Sequence, residues 1–489
     1  MRSDTTSNAA RTLFDHPKGL GSLIISELWE RFGFYGMRSL LVLYLIDRLH
    51  MPSGDATTLY GAFAAMAFGM SIPGGILADR IFGTRRLAFL GGAIVLLGHG
   101  LMVVQDVAGS ATAEDIGLPL ALACIATGTG LFKPSISARV GNLYARDDQR
   151  REAGFYLFYI GINAGAALAP LICGYLGHAY GWRYGFAAAG AAMALGLVTM
   201  ALAGRASDAA PPCSGATLLA ATLAVPIALA GTAFLLLRNP DSVGWLLAAI
   251  LLVGLAALLR HVRHAADADE RRRLLVALLL IFAAATFWSL HEQGGSTLNV
   301  LAAKAVDLRL GWVTLQPAQT QFFNALFILM GAPLFAILWR RLRLVGADPA
   351  PPYKFAAGLM LAAAAFALLA MTTANVAHGG KLSLLWLALA YLLETMGELC
   401  LATPGYATMS RLAPVKASGL IMGLWLFSLS AGNYIGGRIA AATFTGGANP
   451  SLPATYSATF LQVAGYGALV AVLLLILAPR LGRIIATAR

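Results

Sequence analysis

This sequence predicts an all-α integral membrane protein of fourteen transmembrane helices, two six-helix bundles with a two-helix insertion between them. Three observations lead there. Of its 489 residues 58% are hydrophobic and 12% charged, with a mean hydropathy of +0.72, whereas a soluble domain carries about 25% charged residues. The apolar residues form long recurring runs, not the short alternating strands of a β-barrel. The runs divide as six, two and six, because the pair 216–237 and 243–260 offers no internal charge and neither member has a polar face.

Taken in order, the first six runs fall at about 20–47, 57–79, 87–105, 116–142, 153–177 and 182–204. A Pro/Ser/Gly linker around Asp208 to Gly215 then breaks the pattern, and the charge-free pair follows. A basic stretch from Arg260 to Arg273 leads into 274–301, 319–339, 354–373, 383–411, 417–440 and 456–479. The expected units are a cytoplasmic tail (1–19), a first bundle (20–205), the insertion with its linkers (206–270), a second bundle (271–482) and a cytoplasmic tail (483–489).

The net charge of +12 does not read as a nucleic-acid footprint, because the basic residues sit in short clusters between the runs. Arg80, Arg85 and Arg86, then Arg146, Arg150 and Arg151, then Arg271 to Arg273, then Arg340, Arg341 and Arg343 all fall on one side. Positive-inside logic makes that side, and both termini, cytoplasmic. Arginine far outnumbers lysine in an Ala-, Leu- and Gly-rich chain, a composition that fits a GC-rich bacterium, so the expected location is the cell inner (plasma) membrane. The tail before Lys18 has no short apolar core with a cleavage site, so no removable signal peptide is expected. The four cysteines, Cys124, Cys173, Cys213 and Cys400, have neither disulfide nor metal spacing.

The first run is the anomaly. At 100° per residue Glu27, Glu30, Arg31, Phe34, Tyr35 and Arg38 fall within an arc of about 140°. Insertion scales put a central charged group at roughly +2.5 to +3.5 kcal/mol. A Glu27–Arg31 pair at i and i+4 would neutralise itself, but leaves the second Glu and second Arg without purpose. A polar pathway accounts for all four. Two six-helix halves around a midplane site are the architecture of a secondary transporter. The loop Gly75-Ile-Leu-Ala-Asp79-Arg80-Ile-Phe-Gly83-Thr-Arg85-Arg86 resembles the loop signature of the major facilitator superfamily.

A narrower resemblance follows. Glu27-x-x-Glu30-Arg31-Phe32-x-Phe34-Tyr35-Gly36 resembles the E-x-x-E-R-F-x-Y-Y-G motif of proton-dependent oligopeptide transporters, the POT or PTR family. In order along the chain, Gly130-Leu-Phe-Lys133-Pro134, Phe158-Tyr159-x-x-Ile162-Asn163-x-Gly165, Gly397-Glu398-Leu and Gly423-Leu-Trp425-Leu-Phe-Ser resemble further signatures of that family. Four departures stand out. Phe34 replaces the first Tyr of the motif, and Phe68 stands where a pocket Tyr is common. Ala402-Thr403-Pro404 shifts the usual Ser-Pro, and His291 precedes Glu292.

The resemblance implies the major facilitator fold and a symporter importing di- and tripeptides by alternating access, with protons as coupling ion and no other cofactor. A peptide site must grip an ammonium, a carboxylate and amides while leaving side chains loose. Glu398 is the candidate for the ammonium, Arg38 and Lys133 for the carboxylate, and Asn163 and Asn324 for the amides. Tyr35, Tyr156 and Trp288 are further candidate contacts, with Trp425 as an aromatic wall. On a wheel Tyr156, Tyr159 and Asn163 share one face, as do Trp288, His291, Glu292 and Asn299. Glu394, one turn before Glu398, supports that site or lies near the periplasmic water.

No Walker-type loop supports ATP drive. Glu27, Glu30, Arg31, Glu292 and His291 are therefore the proton-coupling candidates. The pairs Arg38–Glu292 and Lys133–Glu398 are the expected gates. One charge across 100 mV yields roughly 2.3 kcal/mol and one pH unit about 1.4, enough for accumulation of several hundredfold. Expected partners are the peptide, protons and the lipid bilayer, with no nucleic acid, for a monomer that is not an enzyme. Nitrate or another small organic anion is the main rival solute. A drug antiporter would have few fixed charges, and a channel would be plugged by charges paired across spans.

Overall fold

The computed structural model describes residues 16–109, 113–145, 148, 150–202, 215–265, 267–376, 380–445 and 453–487. Most of the expected N-terminal tail, the linker 203–214 with Cys213, Arg146 and residues 488–489 lie outside the described residues. The first bundle comprises α1 (Leu20–Leu43), α2 (Ser53–Phe82), α3 (Thr84–Ala108), α4 (Leu118–Asn142), α5 (Arg150–Ala179) and α6 (Trp182–Leu202). The insertion is α7 (Gly215–Arg238) and α8 (Pro240–Arg263). The second bundle is α9 (Ala268–Ala305), α10 (Pro317–Leu344), α11 (Pro351–Asn375), α12 (Leu384–Leu412), α13 (Ser418–Thr445) and α14 (Pro453–Thr487).

Among the described residues thirteen helices are long and apolar enough to cross a membrane. The fourteenth is α1, whose four charged residues spoil the apolar pattern. The helices run further than the apolar runs indicated. Arg150 and Arg151 open α5, Arg271 to Arg273 lie in the first turns of α9, and Arg340, Arg341 and Arg343 in the last turns of α10. These arginines are helix ends and not loops, since a guanidinium on a long stem reaches water while its backbone stays helical. At the start of α9 the Asp267 side chain accepts a hydrogen bond from the Glu270 amide at 2.6 Å, an N-cap that satisfies an otherwise orphaned donor.

The expected single helix over 274–301 is interrupted. The α-helix ends at His291, a 3-10 turn covers Glu292–Gly295, and helix resumes at Thr297. Two adjacent glycines there have low helix propensity, and Gly295 is needed for close approach: a Cβ on it would collide with the Tyr60 hydroxyl and lie 3.1 Å from the Arg38 Nε. The interruption removes Asn299 from the face it was expected to share with Trp288, His291 and Glu292. Its Nδ2 donates instead to the Ser39 carbonyl of α1 at 2.8 Å.

The bundles meet along α1, α2 and α5 on one side and α9, α10 and α13 on the other. Helices α2 and α13 cross at Gly61 and Gly437, where a Cβ on Gly61 would lie 2.7 Å from the Gly437 Cα. Nearby Ser430 Oγ donates to the Ala65 carbonyl at 2.5 Å. Helix α7 packs on α4, and α8 touches α2, α9 and α13, so the insertion lies along the seam with most of its apolar surface outward. At the end away from the arginines, a parallel pair of short strands, β1 (Val306–Asp307) with β4 (Leu382–Ser383), ties the α9–α10 connection to the start of α12. A hairpin of β2 (Arg309–Leu310) and β3 (Val313–Thr314) turns at Gly311, whose φ of 62° suits glycine.

Candidate functional site

A cavity of about 920 Å³ lies between the bundles. That is the upper part of the range for small-molecule sites. At the arginine-bearing end its walls include the exposed side chains of Glu152, Tyr156 and Tyr406. At the opposite end it stops at Arg38 and Glu292, which are 8% and 4% exposed. The molecule is therefore open on the arginine side and sealed on the other.

The seal is built from polar side chains. Arg38 Nη2 donates to Glu292 Oε2, forming an ion pair between the bundles. Arg38 Nε donates to the Tyr60 hydroxyl at 2.5 Å, and its guanidinium stands 5.6 Å from the Tyr35 ring centre. Tyr391 donates to the Gly294 carbonyl at 3.2 Å, and Gln319 Nε2 to the Leu171 carbonyl of α5 at 2.8 Å. A buried ion pair is tolerated because each charge has the other and further hydrogen bonds.

Deeper in the first bundle is a second charged group. Arg31 grips Glu30 with two hydrogen bonds, Nε to Oε2 at 2.5 Å and Nη2 to Oε1 at 2.7 Å, and its Nε lies 3.5 Å from Glu27 Oε1. All three are at most 1% exposed. Thr129 of α4 also reaches Glu30, at 3.5 Å. The sequence placed these charges on the face that lines the pathway, but among the described residues none of the three lines the cavity. They sit behind it, because their partners come from α1 itself and from α4.

The second bundle supplies the acid wall. Glu398 Oε2 lies 3.6 Å from His291 Nε2 and accepts from Asn324 Nδ2 at 3.3 Å. Asn324 also donates to Thr395 Oγ1 at 3.1 Å. His291 stacks on Phe287 with ring centres 5.8 Å apart and meets Trp288 edge-on. Across the cavity Lys133 stands over the Phe68 ring at 4.8 Å. Among the described residues it makes no ion pair with Glu398, so the expected Lys133–Glu398 gate is not formed in this open arrangement.

Of the candidate residues, Tyr35, Arg38, Lys133, Tyr156, Asn163, Trp288, His291, Glu292, Asn324 and Glu398 line the cavity. Asn163 is partly committed, its Nδ2 donating to the Tyr159 carbonyl one turn back at 2.9 Å. Trp425 is a correction. It is 3% exposed, wedged between Phe355 and Tyr406 at 6.0 and 5.7 Å, so it packs α13 onto α11 and α12 and forms no cavity wall. Tyr60 was missed. It lies in an apolar stretch of α2, where only the need of a buried phenol for a partner could have marked it. Among the described residues no group of three or more His, Cys, Asp or Glu side chains is placed to hold a metal ion.

Comparison with known proteins decides the family. The model of the POT family matches residues 85–450. The chain belongs to the POT family. It is 34% identical over 467 residues to the peptide transporter YePEPT of Yersinia enterocolitica, covering 90% of each chain. It is 30% identical to dipeptide and tripeptide permease A of Edwardsiella piscicida, covering 97% of each. A crystal structure of a peptide transporter POT in complex with sulfate superposes with a TM-score of 0.83 at 32% identity, again over 97% of each chain. The protein is a POT-family transporter with the major facilitator fold, not an enzyme.

Within this POT transporter the two Tyr-to-Phe departures turn out to be neighbours. Phe34 lies edge-on to Phe68 at 6.2 Å, with the Arg31 guanidinium 5.1 Å from its centre. Each ring thus faces one cation, Arg31 over Phe34 and Lys133 over Phe68, an attraction that needs a ring face and no hydroxyl.

Proposed function

We propose that this chain is a proton-coupled symporter that imports di- and tripeptides across the bacterial inner membrane by alternating access, with both termini in the cytoplasm. The observation that carries the reading is the interbundle Arg38–Glu292 pair at the closed end of a cavity with cations on one wall and an acid on the other. A zwitterion fits that polarity: its ammonium to Glu398, its carboxylate to Lys133 and to Arg38 when released, and its amide to Asn324 and Asn163. Tyr35, Tyr156 and Trp288 bound the space and leave side chains loosely held.

The coupling follows from competition. Arg38 and a proton are alternative partners for Glu292. A proton arriving from the periplasmic side releases Arg38, the seal loosens and the peptide enters. Return of the Arg38–Glu292 pair closes that side, and the cavity opens to the cytoplasm. Glu27, Glu30 and Arg31 form the coupling group of the first bundle, and His291, 3.6 Å from Glu398, is a second proton carrier beside the ammonium site. The two bundles, 20–205 and 271–482, act as the moving units.

The test is uptake of labelled dialanine by proteoliposomes under imposed pH and voltage gradients, with nitrate as competitor. Accumulation that needs an inward proton gradient, inhibited by unlabelled dipeptide and not by nitrate, is expected. Uptake indifferent to pH refutes the symport.

A further inference from the structure

On α12 one acidic side chain has no place in the scheme above. Glu394 lines the cavity one helical turn from Glu398, toward the sealed end. It is 1% exposed. Neither carboxylate oxygen has a hydrogen-bond partner, and among the described residues it forms no ion pair.

Several cavity side chains that could donate are already engaged elsewhere. Arg38 is held by Glu292 and Tyr60, the Tyr391 hydroxyl by the Gly294 carbonyl, and the Asn324 amide by Thr395 and Glu398. Lys133 stands over Phe68 on the opposite wall. A buried carboxylate without a donor costs several kcal/mol unless it takes up a proton, and one that lines a cavity has a second route to compensation: a cation that enters from the cavity.

The geometry points to its chemistry. Residues four apart on a helix face have Cβ atoms about 5–6 Å apart. Glu394 and Glu398 therefore offer two carboxyl positions separated by one turn. We propose that Glu394 is a subsite for a second substrate cation, the side-chain ammonium or guanidinium of a basic first residue. The peptide's terminal ammonium then sits at Glu398, one turn away, and the four-carbon stem of a lysine spans the interval. This deepens the peptide reading and rests on it.

The experiment measures competition of labelled dialanine uptake by Lys-Ala, Ala-Ala and Glu-Ala, in wild type, Glu394→Gln and Glu394→Asp. In wild type Lys-Ala should compete better than Glu-Ala. In Glu394→Gln the inhibition constant of Lys-Ala, taken as a ratio to that of Ala-Ala, should rise at least tenfold, and Glu394→Asp should recover part of it. An unchanged ratio in Glu394→Gln overturns the proposal. Thermal stabilisation of the detergent-solubilised wild type gives a second measurement that needs no variant: a larger shift with Lys-Ala than with Ala-Ala supports the subsite, and an equal or smaller shift overturns it. Failure of the parent reading looks different, since the wild type would then respond to none of the three peptides.

Discussion

Replacing Glu292 by Gln removes one charge from the only ion pair that the described residues form between the two bundles at the sealed end. The volume and one acceptor oxygen remain, and Arg38 keeps its bond to Tyr60 at 2.5 Å. What is lost is the compensation of a guanidinium that is 8% exposed. Removing one partner of a buried pair costs about 3–5 kcal/mol. The amide still accepts a hydrogen bond, which places the expected effect near the lower figure. An arrangement open at the end that is sealed here hydrates Arg38 and escapes the penalty. About 3 kcal/mol shifts a two-state equilibrium by roughly a hundredfold. Spin labels at Asp55 and Trp312, both exposed at the sealed end and on opposite bundles, would report it in a background with the four cysteines replaced. Glu292→Gln should broaden the distance distribution and lengthen its mean at both acidic and neutral pH, whereas the parent should lengthen only on acidification. In liposomes the variant should keep peptide counterflow and lose proton-driven accumulation. A distribution identical to the parent, with full accumulation, would refute the latch.

Other outcomes follow from the same geometry. Glu398→Gln should weaken dialanine binding at least tenfold in a competition assay, since the ammonium loses a charged acceptor. Trp425→Phe should lower the melting temperature by a few degrees, through about 1–3 kcal/mol of lost packing, and leave the transport KM within twofold. A KM change larger than the stability change would return Trp425 to the cavity. Gly61→Leu should abolish transport while the protein still reaches the membrane, because a side chain there strikes Gly437 at the bundle crossing. Asp241→Asn removes an exposed 2.6 Å pair with Arg438 that ties the insertion to the second bundle. It should cost under about 1 kcal/mol, read as a melting shift of at most a few degrees.

How much of this was legible in the sequence depends on which physical rule each feature obeys. The fourteen helices follow from run length and the six-two-six division from charge-free runs, rules that need no neighbours. The side of the arginines was legible, but their place in helices was not, because hydropathy marks where a helix leaves the lipid and not where it ends. Of the ten candidate residues that line the cavity, seven carry a charge, an imidazole or an amide, which has few other uses in an apolar run. The misplaced Trp425 and the missed Tyr60 are one error. An aromatic ring is equally at home in a core and in a pocket wall, and only its neighbours separate the two. The break at Glu292–Gly295 was written in the two glycines, yet its consequence, the turning of Asn299 toward Ser39, depends on how close α1 comes.

The two charged groups of α1 look alike in sequence and differ in mechanical consequence. Glu27, Glu30 and Arg31 find their partners on α1 and, through Thr129, on α4. Every member belongs to the first bundle, so a rigid rotation of the bundles leaves these contacts intact. Arg38 reaches Glu292 on α9 and so holds the two bundles together. Rigid rocking must break that bond and cannot by itself disturb the other group. A proton bound at Glu292 therefore acts on the seal directly, while one bound at Glu27 or Glu30 can act only through something that spans the cavity. Lys133, a cation on α4 at the cavity wall, is placed for that part once a peptide carboxylate joins it to the second bundle. Charge-neutralising variants separate the two routes: Glu292→Gln should change the label distances in the absence of peptide, and Glu30→Gln only in its presence.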